Sequence, residues 1–177
     1  MKIAVFGYSG SGKSTLARFL GQKYGIPVLH LDTVNFNENW QERPLNQALK
    51  DVADFMLNTA WVIDGNYKKF LQNERFQQAD FLIFLDFNRF ICFFRALRRY
   101  FHYRGQTREC MANGCIEKFD WEFVRWILFE SRTRKRKKQQ REILQTYSEK
   151  AIIIKNQKQL NDFMQNYTQI LQKGVVK

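Results

Sequence analysis

A glycine-rich segment near the start of the chain has the composition of a phosphate-binding loop. The stretch Gly7–Ser14 matches G-x-x-x-x-G-K-[ST], follows a short apolar run and opens a run of helical period. Glycines let backbone N–H groups turn toward phosphate oxygens, and the following helix N-terminus adds partial positive charge. Lys13 can neutralise the β and γ oxygens, and Ser14 can ligate Mg²⁺. The predicted ATP·Mg²⁺-binding residues are Gly7, Tyr8, Ser9, Gly10, Ser11, Gly12, Lys13, Ser14 and Thr15.

A magnesium ion bound there also needs a carboxylate at the end of a neighbouring strand. Asp64 and Asp86 each end an apolar run. We favour Asp64, because the third strand is the expected neighbour of the strand that precedes the phosphate loop. Asp86 could instead contact the helix N-terminus near Asn88, so both remain candidates.

Three residues that come later in the sequence could contact the molecule that accepts the phosphoryl group. Asp32 ends another apolar run, where it could accept the proton of a hydroxyl group, or simply cap a loop. Trp40 and Arg43 share a polar stretch before Pro44. Such a pair could bind a planar or anionic acceptor, or it could fix the conformation of the loop.

A group of arginines could stabilise the charge of the transferring phosphoryl. Arg95 and Arg99 lie one helical turn apart, and Arg108 lies in the polar stretch 104–120, which lacks a regular period. A stretch of this length within a compact domain is typical of a functional lid. The arginines could therefore close over the phosphates or form a solvated basic face.

These residues need a parallel sheet to bring them together. Short apolar runs alternate with segments of helical period, which is the pattern of β-α-β units in an α/β fold. We interpret the chain as one domain, residues 1–177, with the lid as an insertion around 104–120. The predicted strands are Lys2–Phe6, Pro27–Leu31, Trp61–Ile63, Asp80–Asp86 and Lys150–Lys155. The predicted helices are Ser14–Tyr24, Leu45–Asn58, Lys69–Arg75, Asn88–Tyr103, Trp121–Tyr147 and a last helix, Gln159–Gln172, stopped by Gly174.

Composition limits the classes of partner. The formal charge of +12 over 177 residues favours anionic partners, either nucleotides or nucleic acid. The basic run Arg132–Arg141 lacks interleaved aromatic residues, so DNA is a possible but not a favoured partner. The chain has no uncharged stretch long enough for a membrane span, so we expect no membrane partner.

The three cysteines indicate a reducing compartment. Cys92, Cys110 and Cys115 form no paired CxxC motif, which suits free thiols and a cytoplasmic location. Cys110 and Cys115 with His102 could supply half of a zinc site, although a closed site requires four ligands. A packing role is the simpler interpretation.

The sequence resembles the adenylate-kinase-like P-loop kinases, and among them the DNA topology modulation proteins. The likeness covers nearly the whole chain. It rests on Gly7–Thr15, Leu31-Asp32 with Trp40, Trp61–Tyr67, Phe84–Asp86, Arg95 with Arg99, Thr107-Arg108 and Gly114–Lys118.

The resemblance implies a three-layer P-loop NTPase fold. Its five-stranded parallel sheet has the order 2-3-1-4-5, with helices on both faces. The resemblance also implies that the ligand is ATP and that the lid carries arginines. An acceptor region between the second and third strands adds Asn66 and Tyr67 to the candidate substrate-binding residues, and Asn156 corresponds to a position that contacts adenine. The resemblance also supports Asp32 as the base.

Two classes of function are consistent with this sequence. The first is an ATP-dependent kinase that transfers the γ-phosphoryl group to an unidentified small-molecule or nucleotide acceptor. The second is a DNA-associated ATP-binding regulator without kinase activity. A nucleotide-binding module without turnover would retain Lys13 and would not need Asp32.

Overall fold

The computed structural model describes residues 1–175, and side chains to residue 171, as a parallel sheet with surrounding helices. Consecutive residues of the central strands are buried although they point to opposite faces, so helices cover both faces. The sheet has the order β2-β3-β1-β4-β5 with every pair parallel, which confirms the predicted fold. Its strands are β1 (Lys2–Gly7), β2 (Val28–His30), β3 (Trp61–Asp64), β4 (Phe81–Leu85) and β5 (Ala151–Ile154).

The helices follow the strands as the alternating pattern predicts. A 3₁₀ turn spans Glu38–Trp40, and another spans Glu130–Arg132. The eight helices among the described residues are α1 (Lys13–Tyr24), α2 (Leu31–Asn35), α3 (Leu45–Met56), α4 (Gln72–Gln78), α5 (Arg89–His102), α6 (Trp121–Leu128), α7 (Arg134–Thr146) and α8 (Gln157–Val175). No helix in this part of the chain combines the length and the apolar character that a membrane span requires.

The prediction of one helix over Trp121–Tyr147 was wrong. The chain leaves helical geometry at Phe129, with φ −130° and ψ −60°, and α7 begins after Thr133. The Thr133 hydroxyl caps α7 by accepting from the Arg136 N–H at 3.4 Å. This break turns Arg132 inward, where its guanidinium lies 3.5 Å from the Tyr8 ring centroid.

Several other boundaries also differ from the sequence prediction, most of them by one or two residues. Leu31 begins α2 instead of ending a strand, so Asp32 lies in a first helical turn. The helix predicted at Lys69–Arg75 begins later, at Gln72, because Leu71 adopts the left-handed conformation with φ 50°. The last helix begins earlier, at Gln157, and continues through Gly174 to Val175.

The turn between β1 and α1 requires glycine at Gly10 for two reasons. Its φ is +77°, and a Cβ there would lie 2.3 Å from the Cys92 carbonyl oxygen of α5. Gly25, at the end of α1, has a similar φ of +63°, but a Cβ added there would meet no heavy atom within 4 Å. A comparison of substitutions at these two positions therefore separates the cost of an unfavourable φ from the cost of a steric clash.

We expect Gly10→Ala to lower the free energy of unfolding by about 2–4 kcal/mol, because it adds a clash to an unfavourable φ. The matched variant Gly25→Ala should cost about 1 kcal/mol, because only the φ is unfavourable. Urea unfolding of both variants measures the difference. Equal costs would contradict the close packing of this turn against α5.

Candidate functional site

One cavity of about 1760 Å³ connects the phosphate loop with most of the predicted site residues. It extends from the loop and Asp64 past Asp32 to Trp40 on one side, and to α8 on the other. The predicted site residues that also line this cavity are Lys13, Ser14, Thr15, Asn66, Tyr67, Arg95, Arg99 and Arg108. Parallel strands produce this convergence, because their carboxyl ends meet at one edge of the sheet.

Lys13 curls back over the phosphate loop. Its Nζ donates to the Tyr8 carbonyl oxygen at 3.1 Å. The Ser11 hydroxyl oxygen, in the same loop, is buried and has no hydrogen-bond partner among the described residues. A buried polar atom without a partner is unfavourable, and Ser11 is fully buried within the loop and does not itself line the cavity.

Asn66 fastens the phosphate loop to the segment after β3. The Gly7 N–H donates to Asn66 Oδ1 at 2.9 Å, and Asn66 Nδ2 donates to the Gly7 carbonyl oxygen at 2.5 Å. Both ends of the amide are therefore occupied by one backbone residue. We assigned Asn66 to the acceptor, and the structure gives its amide this second role.

Asp64 is the better placed of the two candidate metal carboxylates. It lies beside Val5 in the sheet, is 4% exposed and lines the cavity. His30 Nδ1 lies 3.0 Å from its Oδ2, whereas its Oδ1 is buried without a partner in the described chain. An unpartnered carboxylate oxygen, on a residue that lines the same cavity as the phosphate loop, is suited to a hard cation. The sequence analysis gave His30 no role.

Asp86 lies outside the residues that line the cavity. Its backbone N–H donates to the Ile154 carbonyl oxygen at 2.8 Å, which continues the pairing of β4 with β5. Burial raises the pKa of its carboxyl, with Arg132 opposing the shift. Among the residues described, no cluster of three or more His, Cys, Asp or Glu side chains could hold a metal ion.

Asp32 and Tyr67 form a hydrogen-bonded pair in the cavity. The Tyr67 hydroxyl donates to Asp32 Oδ1 at 2.7 Å. Burial, followed by the charge of Asp32, raises the pKa of Tyr67 far above its ordinary value, so the phenol stays protonated and remains a donor.

The buried Arg75 hydrogen-bonds to the backbone that carries this tyrosine. Its Nε donates to the Phe70 carbonyl oxygen at 2.7 Å, and its Nη2 donates to the Tyr67 carbonyl oxygen at 2.8 Å. Burial lowers the pKa of Arg75 to about 10, so the guanidinium remains charged at neutral pH. The backbone that carries Tyr67 is therefore held by a cation that the sequence analysis did not single out.

Trp40 lines the cavity, whereas Arg43 does not. The Trp40 ring packs against Phe36 with centroids 5.3 Å apart, and its Nε1 donates to the Ile116 carbonyl oxygen at 2.8 Å. Arg43 turns away from the cavity and pairs with Asp51 of α3 at 2.7 Å. The structure therefore separates the two residues that the sequence analysis treated as a pair.

The segment 104–120, which we call the lid segment, is folded against the loop that contains Trp40. An antiparallel bridge joins Thr107 to Ile116, so the segment forms a narrow loop. Besides the Trp40 contact, the Cys115 thiol lies 3.1 Å from the Asn37 carbonyl oxygen. Arg18 of α1 adds an ion pair with Glu109 at 2.9 Å. Both sides of the cavity therefore hold the lid segment.

The three candidate arginines have different surroundings. Arg95 donates to the Ser11 carbonyl oxygen at 2.8 Å, hydrogen-bonds to Gln157, and stacks 4.4 Å from the Phe87 ring centroid. Arg99 and Arg108 instead converge on the carboxylate of Glu117. The sequence analysis assigned Glu117 no role, and its stretch, Gly114–Lys118, entered only through the resemblance to P-loop kinases.

The end of the cavity at α8 differs from the sequence expectation, which placed Asn156 against adenine. Asn156 does not line the cavity: its Oδ1 accepts from the Gln159 N–H at 2.9 Å and caps α8. At this end, the side-chain amides that line the cavity are those of Gln157 and Asn161, one helical turn apart on α8. Leu160 and Met164 lie beside them, and Trp126 lines the cavity from α6.

Part of the basic run Arg132–Arg141 is structural. Arg132 donates to the Phe87 carbonyl oxygen at 2.7 Å, in addition to its stacking on the Tyr8 ring. The guanidinium of Arg136 lies 4.6 Å from the Trp126 ring centroid, and Trp126 Nε1 donates to the Ser9 hydroxyl at 3.3 Å. These contacts fasten α6 and α7 to the phosphate loop, so the run is not simply a solvated face.

Comparison with solved structures identifies the fold. The chain is similar to a shikimate kinase from Acinetobacter baumannii in complex with shikimate, with a TM-score of 0.54 and 16% identity over 99% of this chain and 95% of that chain. A second match is an uncharacterized protein from Eubacterium ventriosum ATCC 27560, with a TM-score of 0.43 and 14% identity over 88% and 89% of the chains.

No family model matches the chain, and no curated protein matches it. At 16% identity, the likeness to the shikimate kinase shows a P-loop kinase fold and does not establish an activity. The resemblance to the DNA topology modulation proteins stays a prediction.

We expect Asn66→Ala to lower the free energy of unfolding by about 1–3 kcal/mol, because it removes two hydrogen bonds and leaves the Gly7 backbone unpaired. Asn58→Ala is the matched control, since Asn58 makes one exposed hydrogen bond to the Phe55 carbonyl oxygen. The control should cost less than about 1 kcal/mol. Chemical denaturation measures both, and an equal cost would show that Asn66 does not fasten the loop.

Proposed function

We propose that this protein is an ATP-dependent phosphotransferase that acts on a hydroxyl group of a small molecule or nucleotide. The observation that supports this proposal is a single cavity lined by Lys13, Asp64 and Asp32. Phosphoryl transfer needs a cation on the phosphates, a ligand for Mg²⁺ and a group that accepts a proton. The cavity offers one side chain for each.

The donor end of the cavity suits ATP with Mg²⁺. We assign the triphosphate to the loop from Gly7 to Thr15 and to Lys13. The Ser14 hydroxyl and the unpartnered Asp64 Oδ1 fit a hard cation, so these two residues would hold Mg²⁺. The ion would neutralise charge on the β and γ phosphates. As candidate contacts to the adenine ring, we propose Gln157 and Asn161 instead of Asn156.

Asp32 is the proposed base. Its Oδ1 accepts from Tyr67, and no group in the described part of the chain donates to its Oδ2. Oδ2 takes the proton of the acceptor hydroxyl while that oxygen forms a bond to the γ-phosphorus. The bond between the γ-phosphorus and the β–γ bridging oxygen breaks, and ADP leaves with the electron pair.

Lys13, Arg95, Arg99 and Arg108 are the proposed stabilisers of the transferring phosphoryl. All four line the cavity with cationic side chains. Trp40 and Tyr67 are the proposed acceptor contacts, since both line the side of Asp32. Arg43 and Asn66 are weaker candidates for acceptor contacts. Arg43 is paired with Asp51, and Asn66 is hydrogen-bonded to Gly7. We propose the cytoplasm as the location.

ATP·Mg²⁺ is expected to raise the free energy of unfolding by about 2.7 kcal/mol at a hundredfold excess over its dissociation constant. Lys13→Ala should remove most of this stabilisation, because the lysine charge faces the phosphates. Lys23→Ala, near the opposite end of α1, is the matched control and should retain it. Thermal unfolding with and without ATP·Mg²⁺ measures the effect. No stabilisation of the unmutated protein would refute ATP binding.

Asp32→Asn is expected to lower the rate of phosphoryl transfer about a hundredfold or more, because an amide cannot accept the hydroxyl proton. ATP affinity should stay within about twofold, since Asp32 lies at the acceptor end. Transfer of labelled γ-phosphate to pooled hydroxyl metabolites gives the assay. The control Asp51→Asn removes a carboxylate that does not line the cavity. Parallel loss of ATP binding and transfer would make Asp32 a donor-side group.

A further inference from the structure

Glu117 is an unusual residue in the lid segment because it is a buried carboxylate. Its side chain is only 2% exposed. Its Oε1 accepts from Arg99 Nε and Nη2, both at 2.7 Å, and its Oε2 accepts from Arg108 Nε at 2.6 Å. A carboxylate is buried at a high cost unless charged donors surround it, and here two guanidiniums do so.

The backbone at Glu117 and just before it is also fixed. The Glu117 N–H donates to the Gln106 carbonyl oxygen at 3.1 Å, within the narrow loop of the lid segment. The preceding residue, Ile116, accepts from the Trp40 indole, and the Asn39 N–H donates to Gly114 at 3.3 Å. The carboxylate therefore has a defined position relative to both the lid segment and the loop that contains Trp40.

The two arginines come from different elements and depend on Glu117 to meet. Arg99 belongs to α5, whereas Arg108 belongs to the lid segment. Arg108 has one other contact, from its Nη1 to the Cys110 sulfur at 3.1 Å. Without a carboxylate between them, the two like charges would repel each other.

Each guanidinium keeps one terminal nitrogen without a hydrogen bond to the described chain. Within residues 1–171, no group accepts from Arg99 Nη1 or from Arg108 Nη2, and neither nitrogen is fully buried. Both arginines line the same cavity as Lys13. The triad carries two positive charges and one negative charge, so one positive charge remains for an anion.

We infer that Glu117 is a positioning residue that holds Arg99 and Arg108 together so that their free nitrogens bind the third phosphate of the nucleotide. This inference rests on the proposed function. Glutamine at position 117 could accept from one arginine only, because its amide nitrogen is a donor. Its introduction should therefore release one arginine and selectively weaken the contact to the third phosphate.

The test compares the affinities for ATP·Mg²⁺ and ADP·Mg²⁺ by calorimetry. The unmutated protein should prefer ATP by about tenfold or more, as two charge-assisted contacts would produce. Glu117→Gln should reduce this preference about fivefold or more and change ADP affinity less than about twofold. A purely structural role would lower stability and leave the ratio of the two affinities unchanged.

Two further variants keep the test decisive. Glu130→Gln is the matched control, because Glu130 also pairs with an arginine at the cavity, Arg125, but is exposed. It should leave the ratio unchanged. If Glu117→Gln does not fold, Glu117→Asp keeps the charge but cannot reach both arginines, and it should reduce the ratio about threefold.

Each outcome has a defined meaning. An unchanged ratio in a folded Glu117 variant would overturn the inference, and so would the lack of an ATP preference in the unmutated protein. An increased preference in Glu117→Gln would also overturn it, by making Glu117 a competitor of the phosphate for the arginines. Failure of the unmutated protein to bind either nucleotide would instead refute the proposed function itself.

Discussion

The parallel pairing of β1 with β3 is the constraint on which the site depends. It places Val5 beside Asp64, so the carboxylate at the end of β3 lies next to the start of the phosphate loop. The pairing of β1 with β4 brings Gly7 beside Leu85 on the other side. Both pairings are fixed by backbone hydrogen bonds between buried apolar strands, which allow little adjustment of register.

Around this sheet edge, long polar side chains are fastened to backbone carbonyl groups. Asn66 bonds to Gly7, Arg75 bonds to Tyr67 and Phe70, and Arg95 bonds to Ser11. Such contacts satisfy buried polar groups and fix the loops that carry the site. The Ser11 hydroxyl and Asp64 Oδ1 lack such partners in the described chain, and Asp64 lines the cavity where we propose that Mg²⁺ binds.

The large positive charge of the chain is distributed among several tasks. Arg132 and Arg136 stack on aromatic rings that hold α6 and α7 near the phosphate loop. Arg99 and Arg108 share a buried carboxylate. Net charge indicates the kind of partner that a protein attracts, but it does not distinguish these roles, because stacking and ion pairing depend on where each side chain packs.

The sequence by itself determined the phosphate loop and the strands, because both are local. A loop of fixed glycine spacing between a strand and a helix contains its own geometry, and buried parallel strands appear as continuous apolar runs. Strand order followed from the resemblance to P-loop kinases, and the structure confirmed it. The candidate Lys13 came from the loop motif, and the candidates Asp32 and Asp64 came from their positions at strand ends.

Only the tertiary structure decided which distant side chains meet. Both β3 and β4 pair with β1, but Asp64 lines the cavity and Asp86 does not. The folding of the lid segment brought Glu117 to Arg99. The inward turn of Arg132, which breaks the predicted long helix, depends on the Tyr8 ring of a distant segment. These contacts join residues far apart in sequence, where neither periodicity nor composition records which side chain will be the partner.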